Sequence, residues 1–179
     1  IHPSIDLTTF SCGKPDLDAF LRDEAWQLQA ENLSRTVLAI TEDNRLAGYV
    51  SLFNDALQID PAEFSRIVGQ ERAHGISVGA IKVGMLATDK EFAGQGVATS
   101  LMQYAVVVAI CANEKSACRF LTVDSHLDVV DFYEKKLSFV RNQYRQRKGG
   151  RTVSMRLDLY AEELPAWAAE AVASANTTT

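Results

Sequence analysis

The chain has 179 residues and a mass of 19.7 kDa, a length that suits one hydrophobic core and leaves little room for a second. Hydrophobic residues make up 47% and charged residues 23%, which is typical of folded globular proteins and excludes disordered and collagen-like chains. The formal net charge of -5 excludes a general electrostatic attraction to nucleic acids or anionic lipids, so such a partner would need a local basic patch.

The cysteines and the apolar runs indicate a cellular compartment. Three cysteines, Cys12, Cys111 and Cys118, match neither a disulfide framework nor a zinc site in number and spacing. The longest apolar run, residues 105–112, is far shorter than the ~20 residues that a membrane span needs. We therefore predict a cytoplasmic protein without a metal site and without a membrane contact.

The first half of the chain predicts a helix, a hairpin and a second, short helix. Apolar residues recur with the period of an amphipathic helix over residues 15–31, and Pro15 suits a first helical turn. Two β-rich runs, residues 36–41 and 46–53, are joined by a polar link and predict an antiparallel hairpin. Residues 60–75 are charged and weakly periodic, which indicates a short helix within an insertion.

The second half predicts strands that alternate with helices, which implies a mixed α/β fold with a right-handed βαβ unit. The predicted elements are a central strand over 76–88, a long helix over 97–113, a strand over 120–124, a short helix over 127–136, and a hairpin formed by 139–144 and 152–159 around Gly149 and Gly150. We expect one domain over residues 1–160 and a helical or frayed tail over residues 161–179.

The turn Ala93-Gly94-Gln95-Gly96-Val97-Ala98, between a predicted strand and a predicted helix, is the clearest chemical signal. Its glycines allow the backbone to approach a ligand, and the first amides of the helix lack internal partners at the positive end of its dipole. The turn therefore suits a phosphate, although a turn that binds nothing explains the glycines equally well. No Gly-Lys-Ser or Gly-Lys-Thr follows as in a P-loop, and Thr99 replaces the third glycine of the dinucleotide fingerprint.

Tyr133, on the short helix after the next strand, is the second signal. If Val129, Val130 and Phe132 face the core, Tyr133 lies at the edge of that face and directs its hydroxyl toward the glycine turn. Taken alone, a half-buried tyrosine on an amphipathic helix is more often a packing residue.

Three segments stand in a characteristic order and spacing: the strand Val83-Gly84-Met85-Leu86-Ala87-Thr88-Asp89, the glycine turn, and Val123-Asp124 leading to Phe132-Tyr133-Glu134-Lys135. Together they resemble the GNAT superfamily of acetyl-CoA-dependent N-acetyltransferases. The resemblance covers most of the chain and implies a splayed mixed β-sheet with helices on both faces. It implies a pantetheine arm paired with the strand at Leu86, Ala87 and Thr88, and Tyr133 near the departing thiol. The residues implied to cradle the pyrophosphate of acetyl-CoA are Gly94, Gln95, Gly96, Val97, Ala98 and Thr99.

The sequence departs from the family pattern at two places. Ala93 stands where the family usually has Arg or Gln, so backbone amides must hold the phosphate without that side chain. The family's Leu-Gly-Phe appears one residue late, as Leu137-Ser138-Phe139, which predicts a bulge or an extra residue in the helix of Tyr133. Residues 10–21, followed by Ser34-Arg35-Thr36, are also similar to the N-terminal half of GNAT toxins that acetylate aminoacyl-tRNA.

Direct acetyl transfer to a primary amine needs a neutral amine, a donor for the oxyanion and an acid for the thiolate. We predict a strand amide near Leu86 or Ala87 as the donor and Tyr133 as the acid. The strand itself holds no carboxylate base, which favours an α-amine with a pKa of about 8 over a lysine side chain with a pKa of about 10.4. A peptide terminus, an aminoacyl ester and a small metabolite all remain open as acceptors. The candidate bases elsewhere are Glu42, Asp55, Asp89, Glu91 and Asp124.

Residues 135–156 form a basic island with Glu134 as the neighbouring acid. The basic residues are Lys135, Lys136, Arg141, Arg145, Arg147, Lys148, Arg151 and Arg156. They predict a contact with tRNA phosphates, although solvated charges or the acids of a partner subunit in a homodimer explain them as well. A module that binds acetyl-CoA without turnover is the remaining alternative, favoured by Ala93 and opposed by Tyr133 and the intact glycine turn.

Overall fold

The computed structural model describes residues 6–71, 73–142 and 151–176, and there six strands form one mixed sheet in the order β1-β2-β3-β4-β6-β5. The strands are β1 (Arg35–Ile40), β2 (Leu46–Ile59), β3 (Ile76–Thr88), β4 (Phe120–His126), β5 (Val140–Arg141) and β6 (Thr152–Asp158). The α-helices are α1 (Pro15–Ala19), α2 (Ala25–Ala30), α3 (Pro61–Val68), α4 (Val97–Asn113) and α5 (Ala166–Asn176). The mixed α/β fold that the sequence predicts is confirmed.

The described chain forms two compact units. The first comprises the described residues up to Phe53 together with Val83–Ala105, and the second comprises Asn54–Lys82 and the described residues from Val106 onward. The expected division into one domain and a tail stays a prediction. Within the expected tail, α5 buries a stripe of small side chains, Ala168, Ala171 and Ala175.

The core of the first unit packs around Tyr49 on β2. Its ring stacks on Phe20 at a centroid distance of 6.2 Å and meets Phe10 edge-on at 5.6 Å. Its hydroxyl donates to the carbonyl oxygen of Leu17 at 2.8 Å, so the polar end of this fully buried ring is bonded. The predicted helix over 15–31 consists of α1, a π-helical turn over Phe20–Glu24 and α2, and the π-helical turn brings both Phe20 and its neighbour Leu21 into the core.

Strand β2 continues to Ile59 instead of ending at residue 53. Leu57 and Ile59 alternate into the core of the second unit, where they pack with Phe120. The carboxylate of Asp55 accepts a hydrogen bond from the hydroxyl of Thr122 at 2.6 Å. The polar residues after position 53 look like the end of a strand in the sequence. The strand nevertheless continues, because alternate side chains are buried and the carboxylate of Asp55 is hydrogen-bonded.

The other predicted elements lie close to their expected places. The β1–β2 hairpin is antiparallel, as predicted. Helix α3 lies in the insertion and is capped at both ends, because the side chain of Asp60 accepts from the amide of Glu63 at 2.8 Å and Gly69 takes a left-handed φ of 72°. Strands β5 and β6 pair antiparallel, whereas the predicted turn with Gly149 and Gly150 lies outside the described residues.

Candidate active site

The predicted cofactor residues lie at a strand end, a turn and a helix start, all within the first unit. Strand β3 ends at Thr88 and α4 begins at Val97, as the sequence predicts. Gly94 and Gly96 take φ values of 78° and 86°, in the left-handed region that favours glycine. A Cβ built on either glycine would meet no described atom within 4 Å, so this stretch of backbone borders open space.

Hydrogen-bond donors without partners lie along this open space. In the described part of the chain, no acceptor bonds the backbone amides of Gly96, Val97, Ala98 and Thr99, which lie at the positive end of the 17-residue helix α4. The hydroxyl oxygen of Thr88 is buried and has no partner among the described residues either. Leaving such a group unbonded costs about 1–3 kcal/mol, a cost that a bound ligand can remove. The donors therefore suit a phosphate ester with an arm along the strand.

Leu86, Ala87 and Gln95, the other predicted cofactor residues, pack in the protein or form hydrogen bonds within it. Ala87 is buried in the core of the first unit, whereas Leu86 is half-buried beside it on β3. The side-chain amide of Gln95 donates to the carbonyl oxygen of Glu91 at 2.9 Å, a hydrogen bond within the turn between residues four apart in sequence. Ala93, where the family has a longer polar side chain, is exposed.

Four of the five candidate bases are bonded within their own unit. The carboxylate of Asp89 accepts from two backbone amides, and Glu91 pairs with Arg45. In the second unit, Asp124 pairs with Lys82 at 2.5 Å, and Asp55 accepts from Thr122. Glu42, the fifth, is exposed in the β1–β2 turn.

Tyr133 lies in the second unit on a π-helical turn, Phe132–Lys136. The amide of Leu137 donates to the carbonyl oxygen of Phe132 at 3.2 Å, a bond over five residues, so the helix carries the extra residue that the family comparison predicts. The ring of Tyr133 is 6% exposed and packs edge-on against Phe132 and Phe139 at 5.2 and 5.6 Å. Its predicted approach to the glycine turn, in the other unit, stays a prediction.

The phenol of Tyr133 is suited to give a proton. Burial raises the pKa of Tyr133 to about 12, so the hydroxyl stays protonated at neutral pH. No described residue forms a hydrogen bond with this hydroxyl, although the side chain is buried. A protonated and unengaged hydroxyl can serve as an acid, and it is a poor base.

The helix of Tyr133 ends on a strained serine. Ser138 takes φ 58°, and the next amide, that of Phe139, donates to the carbonyl oxygen of Tyr133 at 2.9 Å. Because glycine adopts this conformation without a Cβ clash, Ser138→Gly should raise the free energy of unfolding by about 1 kcal/mol in urea denaturation. Ser174→Gly, in the right-handed helix α5, should instead lower it. A loss of stability in both variants would contradict strain at Ser138.

The described part of the basic island contains three bonded residues and two unbonded ones. Lys135 pairs with Asp131 at 2.7 Å and Arg141 with Glu134 at 2.6 Å, and the largely buried Arg156 pairs with Glu63 of α3. Lys136 and Arg151 are exposed and form no ion pair with described residues. Arg145, Arg147 and Lys148 lie outside the described residues.

Neither a metal site nor a membrane span is found over residues 6–71, 73–142 and 151–176. No group of three or more His, Cys, Asp and Glu side chains is placed there to hold a metal ion. None of the helices in these ranges is both long and apolar enough to cross a membrane.

Comparison with known proteins gives one family match and a set of similar structures. The family described as "Acetyltransferase (GNAT) family" matches residues 4–139. AtaT complexed with acetyl-methionyl-tRNAfMet is 20% identical, with a TM-score of 0.70 over 86% of this chain and 87% of that one. A mutant AtaT toxin bound to the C-terminus of the antitoxin AtaR and to acetyl-CoA is 19% identical, with a TM-score of 0.67 over 97% and 89%. A mutant of KacT is 16% identical, with a TM-score of 0.67 over 97% and 92%.

Proposed function

Because the chain belongs to the GNAT family of acetyltransferases, we propose that it transfers the acetyl group of acetyl-CoA to the α-amine of an aminoacyl-tRNA. Membership of the family makes the protein an N-acetyltransferase with acetyl-CoA as cosubstrate, as the sequence predicts. The acceptor is the proposed part. The observation that carries it is the likeness in fold, over most of the chain, to AtaT, which was solved with acetyl-methionyl-tRNAfMet.

Acetyl-CoA would be held by the first unit. The amides from Gly96 to Thr99 face the pyrophosphate, since they are the donors without partners at the start of α4. The pantetheine arm runs along Leu86 to Thr88, where the hydroxyl of Thr88 gains the hydrogen bond that it lacks in the protein alone. The donors assigned to the pyrophosphate are all backbone amides, which is consistent with the alanine at position 93.

The bonded carboxylates support an α-amine acceptor. Asp89, Glu91 and Asp124 already accept hydrogen bonds from amides or pair with basic side chains. An α-amine with a pKa of about 8 is roughly one-tenth neutral at pH 7, whereas a lysine side chain with a pKa of about 10.4 is neutral in less than one molecule in a thousand. If none of these bonded carboxylates takes up the proton, acetyl transfer is therefore far faster to an α-amine than to a lysine side chain.

Tyr133 supplies the acid in this proposal. The neutral amine attacks the thioester carbon, a strand amide near Leu86 or Ala87 stabilises the oxyanion, and the carbon–sulfur bond breaks. The phenol of Tyr133 gives its proton to the departing sulfur and regains the proton that the attacking nitrogen loses. Burial supports this role, because the raised pKa of Tyr133 keeps the phenol protonated until the thiolate forms.

The acceptor is tested by measuring acetyl transfer side by side on an aminoacyl-tRNA, a panel of peptides with free N-termini and a panel of small primary amines. We expect transfer to the aminoacyl-tRNA at the highest kcat/KM. The matched control is the same aminoacyl-tRNA with a formylated α-amine, which should accept no acetyl group. Efficient transfer to peptides or small amines alone would contradict the proposed acceptor and leave the acetyltransferase activity intact.

The exposed basic residues give a second test of the acceptor. Lys136→Ala with Arg151→Ala should weaken tRNA binding and lower the slope of log affinity against log salt by about 1.5, because two phosphate contacts are lost. Lys135→Ala with Arg141→Ala changes the net charge by the same amount but removes side chains already paired with acids, so it should alter the slope far less. Equal effects of the two double variants in a salt titration would show that only net charge matters.

A further inference from the structure

The segment of residues 10–18 carries a sequence signature that the proposed function does not use. It is part of the stretch similar to the N-terminal half of GNAT toxins, yet it holds none of the predicted cofactor or catalytic residues. In the structure it lies in the first unit together with the glycine turn, and its polar groups bond the loop from which that turn starts.

Two hydrogen bonds join the 10–18 segment to this loop in both directions. The amide of Ser11 donates to the carboxylate of Asp89 at 2.8 Å, and the amide of Lys90 donates back to the carbonyl oxygen of Ser11 at 3.0 Å. Asp89 itself is only 8% exposed, so its carboxylate is largely shielded from water. One of the two bonds joins backbone groups, and the other joins a backbone amide to the side-chain carboxylate of Asp89.

Asp89 also fixes the chain that leads into the turn. Its second carboxylate oxygen accepts from the amide of Glu91 at 2.9 Å, and its carbonyl oxygen accepts from the amide of Phe92 at 3.0 Å. The Asp89 amide donates to the carbonyl oxygen of Ala47 on β2 at 2.9 Å. The carboxylate therefore bonds both the 10–18 segment and the tight turn that precedes Gly94.

The other end of the segment is closed by Asp18. Its carboxylate accepts from the amide of Cys12 at 2.8 Å and from the hydroxyl of Ser11 at 3.2 Å. Gly13, between them, takes φ 85°, and a Cβ there would lie 2.7 Å from the side chain of Lys90. The segment is thus folded back against the loop through a left-handed backbone conformation that favours glycine.

We propose that Asp89 is a positioning residue that couples the order of the 10–18 segment to acetyl-CoA binding at the glycine turn. A ligand held by the amides after Gly94 fixes the turn, the turn fixes the bonds of Asp89, and Asp89 fixes Ser11. Thermodynamic linkage then requires that loosening the segment weakens acetyl-CoA binding and that acetyl-CoA stabilises the segment. The inference rests on the proposed cofactor site.

Asp89→Asn tests this coupling, because it keeps the shape of the side chain but removes the charge and replaces one acceptor oxygen with a donor group. We expect the KM for acetyl-CoA to rise about tenfold with kcat changed less than twofold, which a general loss of folded protein would not produce. Asp16→Asn, an exposed acid on α1, is the matched control and should leave both constants unchanged. An unaltered KM in a folded Asp89→Asn protein would overturn the proposal.

The wild-type protein offers a readout that needs no turnover. Cys12 lies in the segment, whereas the exposed Cys111 lies in the second unit. Burial and the neighbouring Asp18 raise the pKa of Cys12 to about 11, so iodoacetamide should modify Cys12 slowly and only when the segment opens. Saturating acetyl-CoA, without an acceptor, should slow alkylation of Cys12 at least threefold and leave that of Cys111 unchanged.

Two comparisons separate the coupling from its alternatives. Protection of Cys12 by saturating acetyl-CoA should disappear in Asp89→Asn, and protection that persists there would mean direct shielding and overturn the coupling. Loss of acetyl-CoA binding in Gly96→Glu would support the cofactor site. If acetyl-CoA then does not change the alkylation rate of Cys12 in the wild type, the coupling is wrong although the cofactor site is right. Unimpaired binding in Gly96→Glu would instead refute the cofactor site itself.

Discussion

Tyr133→Phe should lower the turnover number about 100-fold and leave the affinity for acetyl-CoA unchanged. The substitution removes the hydroxyl that protonates the departing thiolate and keeps the ring that packs against Phe132 and Phe139. Steady-state kinetics give the turnover, and the shift of the melting temperature with acetyl-CoA gives the affinity. Tyr104→Phe, on the exposed side of α4, is the control that should change neither.

The same substitution has a consequence for stability at alkaline pH. The folded-state pKa of Tyr133, about 12, exceeds the ordinary value of 10, so its contribution to stability is complete below pH 10 and is lost as the pH rises toward 12. Tyr133→Phe should therefore reduce the loss of stability at alkaline pH.

The turnover prediction has a clear contrary outcome. If Tyr133→Phe turns over as fast as the wild type, Tyr133 is a packing residue and not the acid.

Gly96→Glu should abolish the thermal stabilisation that acetyl-CoA gives to the wild type. A glutamate there would be strained by the left-handed backbone and would place a carboxylate beside the unpartnered amides, which repels a pyrophosphate. Differential scanning fluorimetry over a series of acetyl-CoA concentrations measures the effect.

Gly69→Glu is a matched control for this prediction. Gly69 takes φ 72°, close to the 86° of Gly96, and likewise borders open space, but it ends α3 in the second unit. Both variants carry the same added charge and a similar backbone strain, so both should melt at a lower temperature without ligand. Acetyl-CoA should still stabilise Gly69→Glu, and an equal loss of ligand response in both variants would contradict a site at the turn.

Local sequence signals predicted the elements around the candidate site well. Strand β3 and helix α4 begin and end where the apolar runs and the glycine turn indicate, because these boundaries depend on residues adjacent in sequence. The late position of Leu137-Ser138-Phe139 likewise pointed to the π-helical turn under Tyr133. These features follow from chain-local geometry.

Features that depend on distant residues could not be read from the sequence. The extension of β2 to Ile59 depends on the hydroxyl of Thr122, and the role of Asp89 depends on the amide of Ser11. A carboxylate in a sequence is an equally good base, ion-pair partner or acceptor of amide bonds, and only the fold decides among them. The basic island shows the same limit, since the acid that pairs with Arg156 lies far away on α3.

The ion pair between Glu63 and Arg156 limits how this chain can be shortened. Surface insertions usually tolerate deletion, because closing a loop of different length costs little. Loss of α3, however, would remove the carboxylate of Glu63, which is the counter-charge of the Arg156 guanidinium. A homologue without α3 should therefore have an uncharged residue at position 156. Among homologues that keep α3, the residues at positions 63 and 156 should change together.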